Sequence, residues 1–307
     1  MSEESRVPWR EQVLGGPFGH PHPSAKTPSI LYHYTPLAGL IGIIQSNQIW
    51  ASDLRYLNDI TEAKRIWSFM ERRVEHLRSS GKTFSKLNLE VVAALLRNVS
   101  PKATFVASFS EARDSLGQWR AYAGSGGVCI GFKEGALRNN WISNTKGGRP
   151  HRAFMRRYKV TYVPDDNNNC LDAEVERLLL TGGPLRSVSR VFKSTREETV
   201  VQSLLSLSTS FKHSAFADEQ EWRLCFERDQ LAARNQRFRL GKSTLIPYIA
   251  ADLNRGIEEA NESYLAEVIV GPSANMELTK TAVQQLLLVE GHEDAKVYLS
   301  EVPYRDW

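Results

Sequence analysis

Glu219-Gln220-Glu221 stands just before Trp222-Arg223-Leu224-Cys225-Phe226, a run that reads as a strand. Alternate residues of a strand point to one side, so Glu219 and Glu221 share a side if extended geometry begins at Glu219. Two carboxylates so placed suit acid–base work or the stabilisation of a cation, and their repulsion would raise at least one pKa. The same residues also fit a charged strand start with no chemistry. His33, in Leu31-Tyr32-His33-Tyr34-Thr35, is a polar ring among aromatics. It either positions a ligand by a hydrogen bond or is a satisfied, half-buried histidine. Tyr32 and Tyr34 face away from it, which separates a core face from a site face. Ser108 and Ser110 alternate with Phe109 at a strand end, with Glu111 and Asp114 beyond. No Gly-x-Ser-x-Gly elbow surrounds them, which disfavours a hydrolase serine. Gln118-Trp119-Arg120-Ala121-Tyr122 joins residues suited to stacking and anion binding, or holds a Trp that anchors a turn on the core.

A basic stretch follows. Between Gly135 and Pro164 stand Arg138, Lys146, Arg149, Arg152, Arg156, Arg157 and Lys159, with no acid and with Trp141, Phe154, Tyr158 and Tyr162 interleaved. Such a stretch could hold a phosphate backbone or an acidic partner, or be a solvated face. Cys129, Cys170 and Cys225 form no C-x-x-C pair, and no ligand cluster has metal spacing, so no metal is expected. His20 and His22 flank Pro21, as a metal site or as part of a solvated tail.

The elements that must position these residues are legible as patterns. The chain has 307 residues, 41% hydrophobic and 24% charged, with 39 Lys+Arg against 35 Asp+Glu. That is ordinary globular usage, which excludes collagen and disorder throughout. Residues 1–29 carry few large apolar groups and are expected to be a flexible arm. The start, Met1-Ser2-Glu3-Glu4, lacks an apolar leader. The longest apolar stretch, Leu37 to Ile44, is far short of the roughly 20 residues of a spanning helix. A soluble cytoplasmic protein with no membrane segment is the expectation. A strand at 30–34 leads to Thr35 as helix cap and Pro36 at the first helical position. Ile60, Ala63, Trp67, Met70, Val74 and Leu77 mark one helix face. Further helices are expected at about 85–98, 171–181, 194–213 and, capped by Ser273, to Leu288. Strands are expected at 48–52, 104–110, 128–132, 156–163, 221–226, 267–270 and 295–300. No phosphate loop and no regular strand–helix alternation appear, so the pattern predicts α+β. The sheet is expected to be curved and mostly antiparallel, within one domain over 30–307 that carries helical insertions at about 60–99 and 170–214.

Taken in order, seven segments resemble the bacterial "domain of unknown function 2971" family over about residues 30 to 305. They are Leu-Tyr-His-Tyr-Thr-Pro-Leu-Ala-Gly-Leu (31–40), Ile-Trp-Ala-Ser-Asp-Leu-Arg-Tyr-Leu-Asn-Asp (49–59), Ser-Phe-Ser-Glu (108–111) and Gln-Trp-Arg-Ala-Tyr (118–122). The others are Gly-Val-Cys-Ile-Gly-Phe (127–132), Phe-Ala-Asp-Glu-Gln-Glu-Trp-Arg-Leu (216–224) and Val-Ile-Val-Gly-Pro (268–272). That family's name carries no activity. An early strand histidine, a middle strand with serines and a late E-x-E are also similar to the ADP-ribosyltransferase fold, whose enzymes split NAD and pass ADP-ribose to an acceptor. The resemblance implies Glu221 as the catalytic glutamate, Glu219 as the residue that orients the acceptor, and His33 on the adenosine-side ribose and diphosphate. Around them it implies an NAD site that includes Tyr34, Ser108 and Ser110, with Tyr122 or Trp119 on nicotinamide, Tyr56 in reserve, and Arg120 or Arg55 at the diphosphate. Ser108-Phe109-Ser110 departs from the Ser-Thr-Ser of the arginine-modifying group, and His33 belongs with the His-Tyr-Glu group, so the acceptor stays open between protein and nucleic acid. Phe216 would face it. A bacterial toxin or phage-defence effector, with an antitoxin as partner, is the implied setting. An NAD hydrolase and a non-catalytic nucleotide- or partner-binding module are the alternatives.

Overall fold

The computed structural model describes residues 28–57, 60–84, 87–98, 104–138, 141–143, 151–152, 155–164, 169–181, 195–226, 234–241, 243–253 and 263–303. The arm expected over 1–29 lies outside them, apart from its last two residues. In chain order come β1 (Ile30–Thr35), α1 (Leu37–Ser46), β2 (Gln48–Asp53), α2 (Ile60–Ser79), α3 (Leu89–Asn98), β3 (Phe105–Ser110), α4 (Leu116–Gln118), a π-helical turn (Trp119–Ala123) and β4 (Val128–Lys133). Next are β5 (Trp141–Ile142), β6 (His151–Arg152), β7 (Met155–Lys159), β8 (Thr161–Val163), α5 (Asn169–Thr181), α6 (Arg196–Ser208), β9 (Phe211–His213), a 3-10 turn (Ser214–Glu219) and β10 (Glu221–Phe226). β11 (Arg237–Leu240), β12 (Leu245–Asp252), β13 (Leu265–Val270), α7 (Met276–Val289) and β14 (Lys296–Leu299) follow.

The chain gathers into two compact units. One draws on Leu54–Thr104 and Arg156–Ala217, and holds both segments where the sequence pattern places helical insertions. In it α2, α3, α5 and α6 bury Trp67, Met70, Val74, Val92, Leu96, Val175, Leu179, Val200 and Leu204 together. The three- and four-residue spacing of α2 delivers this face directly. The helix expected over 194–213 stops at Ser208 instead. The Ser208 and Ser210 hydroxyls donate to the carbonyls of Leu205 (2.6 Å) and Leu207 (2.8 Å), which occupies carbonyls the last turn leaves over. Phe211–His213 is then free to pair with β8 in parallel register. α3 starts at Leu89, later than expected, because Asn88 accepts the amides of Glu90 and Val91 and caps it.

The other unit draws on Thr27–Asp53, Phe105–Met155 and Asp218–Trp307. Its strands lie in the order β14-β13-β4-β1-β3-β2-β12-β5-β6, with β10 beside β3 and β11 beside β12. The pairs are antiparallel except β13 with β14, which α7 connects. The chain is thus α+β with a mostly antiparallel sheet. Leu31, Ile44, Ile49, Phe105, Phe132, Trp222, Phe226 and Ile249 share its main core. A smaller cluster joins Tyr32, Tyr34, Trp119, Cys129 and Ile269. Two caps differ from expectation. Thr35 stays in β1, paired with Val128, and Pro36 takes the cap position of α1 without a side-chain bond. Asn275, not Ser273, precedes α7.

One irregularity of this sheet creates space for a site. β1 pairs with β4 at six positions but with β3 at one, Tyr32 opposite Ser110. β3 pairs next with β2, through Val106 and Phe105. β1 and β2 therefore part along β3, and residues 107–109 have no strand partner on that side among the described residues. β10 covers the other side of β3 at all six positions. Two glycines bring the π-helical turn close to β4. The Gly271 amide donates to Gly127 at 2.8 Å. A Cβ on Gly127 would stand 2.2 Å from the Ala123 carbonyl oxygen, and one on Gly271 would stand 2.8 Å from the Trp119 ring.

Candidate functional site

The parting of β1 from β3 opens a cavity of about 80 Å³ lined by Tyr32, His33, Tyr34, Ser108, Phe109, Gln118, Tyr122, Glu219 and Glu221. Residues from both faces of the sheet reach it through the gap. His33 fills the space beside β3: its Nδ1 donates to the Ser108 carbonyl at 2.9 Å. A carbonyl only accepts, so Nδ1 carries the proton and Nε2 of the neutral ring is an acceptor. Burial pushes the His33 pKa below its ordinary value, against the smaller opposing effect of the Ser108 bond, and keeps the ring neutral at neutral pH.

Glu221 opens β10 and lies opposite Ser110. Arg223, two residues on, shares its side of the strand. The guanidinium grips the carboxylate with two bonds, Nε to Oε1 at 2.8 Å and Nη2 to Oε2 at 2.9 Å, and both residues are buried. Glu219 arrives differently from the expectation of a shared strand. It ends the 3-10 turn, and Gln220 between the two glutamates takes a left-handed φ of 45°. That turn, rather than strand alternation, brings both carboxylates to the cavity. It is pinned from β3: the Ser110 hydroxyl donates to the Glu219 carbonyl at 2.6 Å, and the Glu111 amide donates to Gln220 at 3.1 Å. The Tyr122 hydroxyl donates to Glu219 Oε1 at 3.0 Å.

The loop after β3 is held as firmly. Tyr34 donates to the Ala112 carbonyl at 2.7 Å and accepts the Ser115 amide at 3.0 Å. Its burial raises its pKa. Asp114 accepts from Trp119 Nε1 (2.6 Å), the Ser300 hydroxyl (2.7 Å) and the Glu301 amide (2.8 Å). The Tyr32 hydroxyl donates to Glu267, which Arg113 also grips at 2.8 and 3.1 Å.

The structure thus brings together His33, Tyr34, Ser108, Tyr122, Glu219 and Glu221, with Ser110 bracing the 219–221 turn. It does not bring in Trp119 as a stacking platform. That ring is 2% exposed, packed edge-on against Tyr34 at 4.8 Å and bonded to Asp114, so it anchors the π-helical turn. Tyr34 lines the wall, with its hydroxyl engaged by the loop. Arg120 lies exposed on the π-helical turn. Arg55 and Tyr56 belong to the helical unit, where the Arg55 guanidinium lies 5.9 Å from the Tyr56 ring centre. Phe216 is exposed in that same unit, under the Lys212 ammonium at 4.8 Å. Of the basic stretch, Lys146 and Arg149 lie outside the described residues, as do the side chains of Arg138, Arg152 and Arg156. The stretch divides between the units after Met155, with Arg157 and Lys159 in the helical one. The residues not foreseen are Gln118, which reaches the cavity from a buried position, Tyr32 and Phe109, which also line it, and Arg223, whose two-residue spacing from Glu221 was a usable signal.

Residues 118–224 match the model of a family described as Protein of unknown function (DUF2971). The match opens at Gln118 and closes in β10, so it includes Tyr122, Glu219, Glu221 and Arg223 but neither β1 nor β3. No curated protein and no solved structure matches the chain. Among the described residues, no group of three or more His, Cys, Asp or Glu is placed to hold a metal ion, and no helix is long and apolar enough to cross a membrane.

Proposed function

We propose that the sheet unit is an ADP-ribosyltransferase that splits NAD at the nicotinamide–ribose bond and passes ADP-ribose to a protein or nucleic-acid acceptor. The observation that carries this reading is the convergence of Glu219, Glu221, His33 and Tyr122 on one cavity, the two glutamates being joined through left-handed Gln220. The resemblance to the ADP-ribosyltransferase fold supplies the reaction; the site supplies groups suited to it. Nicotinamide bonded to ribose is cationic, and the Glu219 carboxylate beside the Arg223–Glu221 pair favours a cation. When the bond between the ribose C1′ and the ring nitrogen breaks, its electron pair leaves with neutral nicotinamide. Positive charge then develops on the ribose, where a fixed carboxylate stabilises it most. Glu221 suits that task because Arg223 grips it with two bonds and fixes its orientation at the cavity. Glu219, oriented by Tyr122, suits the acceptor: it takes the acceptor's proton as the acceptor bonds to C1′. Neutral His33 offers Nε2 to a hydroxyl. At about 80 Å³ the cavity admits a head group, not a whole dinucleotide, since whole-ligand pockets run to roughly 300–1,000 Å³. The rest of NAD would lie outside it.

The test is transfer from labelled NAD into cell extract split into protein and nucleic-acid fractions, with wild type and Glu219→Gln. Label in one fraction with wild type alone supports the transferase and names the acceptor class. Nicotinamide release without label in either fraction would make it a hydrolase. Neither product would leave a binding module.

A further inference from the structure

We infer that Gln118 determines specificity in this cavity by pairing with a primary carboxamide, which on the proposed reading is that of nicotinamide. The inference rests on that reading and adds the group that chooses the leaving base. Gln118 is 6% exposed and lines the cavity. Its own carboxamide makes no hydrogen bond among the described residues. The residue is buried as a whole, but its amide atoms are not among the fully buried atoms that lack a partner, so they stay open to the cavity and to whatever occupies it. Gln118 lies against the cavity, which is where a partner enters.

The neighbouring groups define what the partner must carry. Glu219 and Glu221 only accept hydrogen bonds, and the Nε2 of neutral His33 accepts as well. Of the lining hydroxyls, those of Tyr32, Tyr34 and Tyr122 already donate, to Glu267, Ala112 and Glu219 respectively, and that of Ser108 can donate or accept. The wall is therefore rich in acceptors, and Gln118 adds a donor and an acceptor side by side. A primary carboxamide matches that pair with two parallel bonds, its oxygen on the Gln118 N–H and its own N–H on the Gln118 oxygen. A carboxylate of the same shape would meet two glutamates and lose one of the two bonds. Gln118 holds its place because it ends α4, where the Trp119 amide bonds back to Ser115 at 3.0 Å and the buried Trp119 ring fixes the following turn.

The experiment is calorimetric titration of nicotinamide, nicotinic acid and ADP-ribose into wild type, Gln118→Leu and Gln118→Glu, each first checked for a cooperative melt. NAD cleavage is followed in parallel. We expect wild type to bind nicotinamide at least tenfold more tightly than nicotinic acid. Both variants should lose at least tenfold for nicotinamide and keep wild-type affinity for ADP-ribose, which lacks the base. Folded variants that bind nicotinamide as wild type does, while wild type still cleaves NAD, would overturn the role of Gln118 and leave the proposed function standing. A wild type that neither cleaves NAD nor binds ADP-ribose would overturn both.

Discussion

Glu221 illustrates how a partner changes the meaning of a residue. As one of two neighbouring carboxylates, it would gain stability on neutralisation, since repulsion would be relieved. Paired with buried Arg223, it does the opposite. Removing one member of a buried ion pair leaves the other charge uncompensated, so we expect Glu221→Ala to cost about 3–5 kcal/mol in chemical denaturation. Glu219 is half-buried at the end of a turn, and Glu219→Gln should stay within about 0.5 kcal/mol of wild type. It should nonetheless lower acceptor modification by about 10²-fold or more, the usual contribution of a positioned base. His33 gives a pH signature. Its folded pKa lies below the ordinary 6.5, so the unfolded chain binds the extra proton first on acidification. Its contribution to stability is therefore full above about pH 6.5 and falls as pH drops from there toward the folded pKa. His292, also lowered by burial, acts in the same sense. His33→Asn should flatten part of the loss of melting temperature between pH 7 and 5, and an unchanged pH profile would contradict the buried neutral ring.

At the scale of elements, what the sequence disclosed depended on periodicity and composition. The face of α2 was legible because its spacing repeats over several turns, and β3 and β10 were legible as short runs rich in apolar and aromatic residues. The 219–221 turn was not, because an E-x-E reads as extended until tertiary bonds bend it. Ser110 and Glu111 supply those bonds from a strand more than a hundred positions away. Trp119 shows the same limit: exposed and buried tryptophans look alike in a motif, and only packing against Tyr34 and Asp114 separates them. Gln220 carries the turn, and left-handed backbone costs a residue with a side chain about 1–2 kcal/mol. Gln220→Gly should leave stability within about 1 kcal/mol, relief of strain being offset by the freer unfolded chain. Gln220→Val should lower stability and nicotinamide release together, because a branched residue resists that φ. Gly271→Ala should be markedly destabilising by thermal melt, since its Cβ would stand 2.8 Å from both the Trp119 ring and the Gly127 carbonyl oxygen.

At the scale of the molecule, two cores divide the work. The helical unit buries its own cluster, in which Trp67 is 6% exposed. Trp67→Ala should cost about 3–5 kcal/mol, and a near-wild-type melt would contradict that packing. The sheet unit holds every residue of the cavity, and its α+β class followed from short strands without regular alternation. The two helical insertions were legible as segments, but not that they share a core of their own, because they lie far apart in the chain. The measurement that bears most directly on the proposed chemistry is nicotinamide release from NAD by the purified protein in the presence of host extract, comparing wild type with Glu219→Gln and Gln118→Leu. We expect release by wild type, a loss of about tenfold or more in each variant, and unchanged melting for Glu219→Gln. Release that persists unaltered in both folded variants, or no release by wild type at all, would contradict the assignment of this cavity to NAD.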